Sequence, residues 1–156
     1  MIDHSKLETG QEECRLKLST RSRYGLLSIY ELAKNQSDSE PLTIKTIAGR
    51  WDLSESYLEQ LFSSLKKAGL VLSKRGAQGG YLLSRAPVDI TIGEVILALE
   101  GSTSITDCVD SDACGDTCNC PSRPIFTKLQ QSINQALNSM TLQDMLDEPE
   151  MVLEEA

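Results

Sequence analysis

The stretch Thr43–Tyr81, TIKTIAGRWDLSESYLEQLFSSLKKAGLVLSKRGAQGGY, decides the fold of this 156-residue chain. Its first half contains two short helical patterns separated by a tight turn. Its second half reads as a hairpin with a basic, glycine-rich tip. The order helix, turn, helix, hairpin predicts a winged helix-turn-helix, an arrangement that places one helix in a DNA groove.

Caps and apolar spacing define the two helices of this stretch. Thr43 is a suitable cap for a helix over 44–51, and Ser54 begins a second helix that extends to about residue 68. Gly69 fits the left-handed position that ends a helix. The second helix carries one apolar stripe at three- and four-residue steps, which predicts burial in the core: Leu58, Leu61, Phe62 and Leu65.

The opposite face of the second helix is polar near its N-terminal half, as in a helix that presents side chains to base edges. An ordinary solvated face has the same composition, and the hairpin that follows favours the DNA-contacting interpretation over a surface hairpin with a solubilising tip. Its predicted strands, 70–72 and 81–83, flank a loop whose glycines permit a tight turn. Lys74 and Arg75 put positive charge at the tip, which favours entry into a minor groove.

The net charge of −8 is distributed unevenly along the chain. Residues 16–85 contain 11 Lys/Arg and 6 Asp/Glu, whereas the rest contains 4 and 17. The basic segment is the one with the helix-turn-helix pattern, which predicts contact with nucleic acid. The basic side chains expected to touch phosphates, and so to set affinity without reading sequence, are Arg21, Arg23, Lys66, Lys67 and Lys74.

The remaining segments complete a mainly α-helical fold with a small β-hairpin wing and a long helix after the cysteine loop. Ser19 can cap a first helix, Thr91 a fourth, and Pro121 and Pro124 mark the start of the long helix. The apolar stripe of that helix can fill the core or pair with the same helix of a second subunit: Phe126, Leu129, Ile133, Leu137 and Met140. The predicted organisation is a flexible acidic extension (1–15), a DNA-binding domain (16–86), the cysteine loop with the dimerisation helices (87–146) and an acidic tail (147–156).

Several classes of protein are excluded. No apolar run reaches the length of a membrane span, and the first residues have no signal-peptide core, so a cytoplasmic protein with reduced thiols is expected. The only histidine, His4, lies in the acidic extension, and no nucleophile–base pair is evident. We therefore do not expect an enzyme.

Four of the five cysteines fall within 13 residues of a predicted loop: Cys108, Cys114, Cys118 and Cys120. Thiolates this close together can converge on an iron–sulfur cluster, zinc or copper(I). The spacing lacks the paired C-x-x-C of zinc ribbons. A disulfide-forming thiol sensor is the main alternative to metal binding.

At several positions the chain resembles the winged-helix transcription regulators of the iron–sulfur cluster regulator (IscR-like) family. The resemblance rests on five strings: LSTRSRY (18–24), SYLEQLF (56–62), LKKAGLV (65–71), RGAQGGYLL (75–83) and IGEVI (92–96). It implies a homodimer on a roughly palindromic operator. It also implies that Ser56, Tyr57, Glu59 and Gln60 read bases, with Arg75 in the wing. Glu59 can accept from a cytosine amino group, and Gln60 can pair with adenine.

The resemblance further implies a 2Fe–2S cluster held by three cysteines in a C-x5-C-x5-C pattern, which Cys108, Cys114 and Cys120 match. Family members take the fourth ligand from a histidine or an aspartate, and both positions are arginine here, at Arg123 and Arg23. Cys118 can supply the fourth ligand, and so can one of three nearby carboxylates: Asp107, Asp110 or Asp116.

Three functions follow as hypotheses. The leading one is a homodimeric, sequence-specific transcription regulator that senses iron, iron–sulfur or redox status through its cysteines. A small thiol or iron–sulfur redox protein that carries electrons, without a DNA role, is the alternative. The third is a scaffold folded around structural zinc, which would lose its fold when the metal is chelated.

Overall fold

Six α-helices and one β-hairpin make up the part of the chain that the structure, a computed structural model, describes: residues 19–36, 40–104 and 120–147. The mainly helical fold with a small hairpin confirms the predicted fold class. A 3-10 turn, Pro87–Asp89, precedes the fourth helix. The elements in chain order are α1 (Thr20–Lys34), α2 (Ile44–Trp51), α3 (Glu55–Lys67), β1 (Val71–Lys74), β2 (Gly80–Leu83), α4 (Ile92–Glu100), α5 (Arg123–Ser139) and α6 (Leu142–Asp147).

Side-chain caps determine where four of these helices begin, as their sequences predict. Each capping hydroxyl accepts a hydrogen bond, at 3.1–3.4 Å, from the backbone N–H three residues further on. The capping residues are Ser19, Thr43, Ser54 and Thr91. At the other end of α3, Gly69 has a φ of 75°, as the pattern requires.

One continuous core joins α1, α3, α4 and the hairpin. The predicted stripe of α3 is entirely buried in it, and Ile29 and Ile96 meet it from α1 and α4. Helices α1 and α4 approach closely at Gly25, where an added Cβ would lie 2.2 Å from Cδ1 of Leu99. This core includes residues on both sides of position 86. The division into a DNA-binding segment, 16–86, and a segment with the cysteines, 87–146, therefore stays a prediction about what each segment does.

Helix α5 packs against the core along only part of its length. In the predicted stripe of this helix no side chain is buried, and its only buried residue is Gln130. Ile125 is 67% exposed and Leu129 is 44% exposed. Among the described residues only Leu137 of the stripe packs against the core, and the exposed members give α5 an outward apolar face.

Helix α6 is attached to the start of α4 through a short backbone bridge. The Ile92 N–H donates to the Met140 carbonyl at 2.8 Å, and the Leu142 N–H donates to the Ile90 carbonyl at 3.0 Å. Leu142 is fully buried. Within the described ranges no helix combines the length and the apolar composition needed to cross a membrane.

The start of α4 carries a titratable contribution to stability. The Thr91 N–H donates to Glu94 Oε2 at 2.9 Å, and Arg85 Nη2 donates to Glu94 Oε1 at 3.0 Å. The Thr91 backbone and then the Arg85 cation lower the pKa of Glu94 below its ordinary value of 4.5, against the opposing effect of burial. The resulting stabilisation is present above the ordinary pKa and is lost as pH falls through the lowered one.

Replacing Glu94 with Gln should lower the free energy of unfolding by about 0.5–1 kcal/mol at neutral pH, because the amide accepts the cap hydrogen bond without the charge. Urea titrations at pH 7, 5 and 3.5 measure the difference between wild type and variant. We expect the two to converge as the pH approaches the lowered pKa. A difference that stays constant with pH would contradict the assignment.

Candidate nucleic-acid interface

Helix α3 separates an apolar inner face from a polar outer face. On the outer face Ser56, Glu59 and Gln60 are all exposed. Tyr57 differs from its neighbours, because it is partly buried and packs edge-on against Tyr24 with 6.3 Å between ring centroids. The structure therefore places three of the four predicted base-reading side chains in solvent, and holds the fourth against α1.

The turn between α2 and α3 depends on Asp52, which the sequence pattern did not single out. Asp52 adopts the left-handed conformation with φ 52° and ψ 47°. Aspartate tolerates this region better than most residues do. The turn sets the angle between α2 and α3, and Trp51 and Leu53 pack beside it against the core.

The wing is longer than the sequence predicts. The strands pair in an antiparallel register from Val71 with Leu83 to Lys74 with Gly80, which leaves a tip of five residues, 75–79. The predicted strand limits, 70–72 and 81–83, were short because glycine and lysine are weak strand formers. The pairing itself extends the ladder to them.

The base of the wing is anchored to the segment that leads into α2. The Tyr81 N–H donates to the Leu42 carbonyl at 2.8 Å, and the Leu42 N–H donates to the Tyr81 carbonyl at 3.0 Å. Gly80 makes this approach possible, because a Cβ there would lie 2.4 Å from the Leu42 oxygen. The wing tip, with Lys74 and Arg75 exposed, is thereby held in a defined position relative to α3.

The predicted phosphate-contacting side chains occupy different environments. Arg23 and Lys67 are exposed, and the Lys66 ammonium donates to the Ser73 hydroxyl at 2.6 Å. Arg21 is partly buried, and its Nη2 donates to Ser64 Oγ at 2.8 Å. Among the described residues, the cations engaged in ion pairs are instead Arg50, with the buried Glu31, and Arg85, with Glu94.

Of the cysteine cluster, the described residues include only Cys120; Cys108, Cys114 and Cys118 lie outside them. The Cys120 sulfur is 3.0 Å from Ser122 Oγ. Hydrogen bonds from the Ser122 side chain and backbone lower the pKa of the Cys120 thiol. A lowered pKa favours the thiolate, which is the form that ligates soft metals and iron–sulfur clusters. Within the described ranges no group of three or more metal-ligating side chains comes together.

The recognition helix of this fold is α3, whose polar outer face is exposed beside an anchored basic wing. The turn after α2 fixes the angle between α2 and α3. These features define the class. The protein is a winged-helix, DNA-binding transcription regulator. The chain belongs to the Rrf2 family, whose model, described as an iron-dependent transcriptional regulator, matches residues 18–148. This finding confirms the resemblance noted in the sequence.

Individual relatives span most of the chain. It is 40% identical over 130 residues to the HTH-type transcriptional regulator CymR of Bacillus subtilis, covering 83% of this chain and 89% of CymR. It is 36% identical over 137 residues to the HTH-type transcriptional regulator IscR of Cronobacter sakazakii, covering 88% and 84%. The solved structure of T. potens IscR matches with a TM-score of 0.70 at 40% identity, covering 90% of this chain and 93% of that one.

Proposed function

We propose that this transcription regulator binds a roughly palindromic operator as a homodimer, and that its cysteine segment reports iron–sulfur or redox status. The observation that carries the proposal is the exposed outer face of α3 beside an anchored basic wing. Such a pair can occupy adjacent major and minor grooves of one half-site.

Base reading is assigned to the outer face of α3. Glu59 can accept from a cytosine amino group, and Gln60 can make a paired contact with adenine. Ser56, near the N-terminal end of the helix, can bond to either kind of base edge. Tyr57 contributes chiefly by its packing on Tyr24, which supports the first turn of α3. These contacts specify sequence, whereas the lysines and arginines around them supply affinity.

The dimer interface is assigned to α5. Within the part of the chain that the structure describes, Ile125 and Leu129 of this helix remain exposed, and an apolar face of this kind is typical of a surface that another protein buries. A second copy is the simplest partner, because two identical stripes are self-complementary around a twofold axis. Two recognition helices related by that axis would match the two halves of a palindrome.

Disrupting this face should separate the subunits. Replacing Ile125 and Leu129 with Glu is expected to convert the dimer to the 17.1 kDa monomer and to weaken operator binding about 100-fold, since linked half-site binding is lost. Analytical ultracentrifugation and DNA titration measure both effects. Gln131→Glu, an exposed change on the same helix, is the matched control. A variant that stays dimeric would contradict the assignment.

The cysteine segment is assigned a sensory role. Cys108, Cys114 and Cys120 would hold a 2Fe–2S cluster, and Cys118 or a nearby carboxylate would complete the set. A bound cluster supplies reversible one-electron chemistry. Sulfur ligands fit the lowered pKa of Cys120. The relatives include two different regulators, IscR and CymR, and the solved CymR of B. subtilis is described as the global cysteine regulator of that organism. The segment can therefore respond to thiol chemistry with or without iron.

Purification without air, with a visible spectrum and iron and sulfide analysis, tests the cluster directly. The same protein and a variant with serine at 108, 114 and 120 are then titrated with operator DNA. We expect both to bind, with a difference in affinity or site preference of at least tenfold. Identical binding by the two proteins would overturn the sensory role and leave DNA binding intact. A small redox protein would instead exchange electrons with a partner and would not bind DNA.

A further inference from the structure

The first turn of α1 lies where the recognition helix and the end of α4 meet. Arg21 Nη2 donates to Ser64 Oγ at 2.8 Å, across 43 positions of sequence. Ser64 lies one helical turn after Gln60, and its hydroxyl donates in turn to the Gln60 carbonyl at 3.4 Å. Arg21 therefore contacts the recognition helix directly behind one of its proposed base-reading residues.

The guanidinium of Arg21 is partly buried. Its Nε is buried and has no hydrogen-bond partner among the described residues. Its positive charge helps to lower the pKa of Glu100, after the larger effects of hydrogen bonds from Ser19 and Ser22. The buried Nε and the contact with Ser64 therefore tie this guanidinium to the protein on the side that faces α3.

Glu100 closes the other side of this junction. Its carboxylate accepts hydrogen bonds from the Ser19 hydroxyl and, at 2.5 Å, from the Ser22 hydroxyl. Ser19 is the cap of α1 and Ser22 is fully buried, so the carboxylate holds the N-terminal turn of α1 in place. Glu100 is also the last residue of α4, immediately before the segment that contains the cysteines.

We infer that Arg21 is a positioning residue for the recognition helix, and that Glu100 holds the turn from which Arg21 acts. The junction connects the end of α4 to the C-terminal half of α3 through two contacts. Glu100 holds the first turn of α1, and Arg21 in that turn contacts Ser64. A change in where α4 ends would therefore shift the base-reading face. This inference rests on the proposed DNA-binding function and differs from the simpler expectation that Arg21 touches phosphate.

The two roles of Arg21 give different salt dependences. A phosphate contact, when removed, weakens operator and random DNA alike and reduces the slope of log affinity against log salt by about one. A positioning residue, when removed, weakens operator binding alone and leaves the slope unchanged. Arg23→Ala, on the exposed side of the same turn, is the reference for a phosphate contact.

The test is a double-mutant cycle of Arg21→Ala and Ser64→Ala, titrated with operator and random DNA from 50 to 200 mM salt. We expect each single variant to lose about 5- to 30-fold in operator affinity and less than twofold on random DNA. The double variant should be no worse than Arg21→Ala, because both remove one interaction. Ser139→Ala is the matched control, since Ser139 also donates to a helical carbonyl, at 2.8 Å, and lies at the far end of α5 from Ile125 and Leu129.

Glu100→Gln adds a test in which the direction of the change in operator affinity distinguishes positioning from long-range electrostatics. Removing an acidic charge should strengthen DNA binding if only long-range electrostatics matter. Positioning predicts the opposite, a loss of about three- to tenfold on operator with random DNA unchanged. Melting curves confirm that the variants fold, and the mild Ser64→Ala keeps the test valid if Arg21→Ala does not.

Equal losses on both DNAs with a smaller salt slope, an unaffected Ser64→Ala, or tighter operator binding by Glu100→Gln would each overturn the inference. Wild-type protein that binds no DNA in 50 mM salt would overturn the proposed function instead. The two failures are therefore distinguishable.

Discussion

Replacing Phe62 with Ala is expected to lower the free energy of unfolding by about 3–5 kcal/mol. Phe62 is fully buried and is the largest such side chain in the core. Its ring lies 4.6 Å from that of Tyr81, centroid to centroid, at an angle of 42°. Truncation would remove the transfer energy of the ring and leave a cavity between α3 and the wing, since the surrounding helices close such a space only in part.

The loss should affect geometry as well as stability. Phe62 connects the recognition helix to the wing strand that also pairs with Leu42, so the variant should bind operator poorly even at temperatures where it remains folded. Urea unfolding measures the free energy. Leu72→Ala is the control, because Leu72 is 55% exposed on the same hairpin and should cost less than about 0.5 kcal/mol. Equal effects of the two substitutions would refute the packing described for α3.

Replacing Lys74 and Arg75 with Ala is expected to weaken binding to operator and to random DNA by about tenfold for each lost contact at 0.1 M salt. The slope of log affinity against log salt should fall by about two, because each neutralised phosphate releases close to one counterion. Both side chains are exposed, so stability should not change.

Two exposed lysines outside the wing supply the control for Lys74 and Arg75. Lys34, at the end of α1, and Lys128, on α5, lie outside the wing and recognition helix, and their joint replacement removes the same net charge. We expect that control to change the salt slope by much less than one. If the two double variants behave alike, net charge rather than wing position determines affinity, and the role assigned to the wing is wrong.

Helix starts were predictable to within a residue, because a cap is a local event. Thr43 and Ser54 each form a hydrogen bond with an N–H three residues further on, and an apolar stripe repeats within one helix. The wing limits were less predictable, since strand pairing depends on a partner. Gly80 entered the ladder only because Lys74 faces it.

The site was predictable in composition and less so in arrangement. The sequence identified the outer face of α3 correctly as exposed for Ser56, Glu59 and Gln60. It grouped Arg21 with the phosphate-contacting cations and gave no sign of the contact between Arg21 and Ser64. Neither the role of Glu100 at the start of α1 nor the Leu42 bridge has a signature in the local sequence.

The sequence by itself determined the helices, the hairpin, the family and the polar outer face of α3, because caps, apolar periodicity and motif strings act over a few neighbouring residues. Only the tertiary structure decided which cation contacts Ser64, which strand edge receives Leu42 and which carboxylate accepts hydrogen bonds from the first turn of α1. Those contacts join positions more than 35 residues apart. They depend on the depth and angle at which helices pack, and no short-range pattern specifies either quantity.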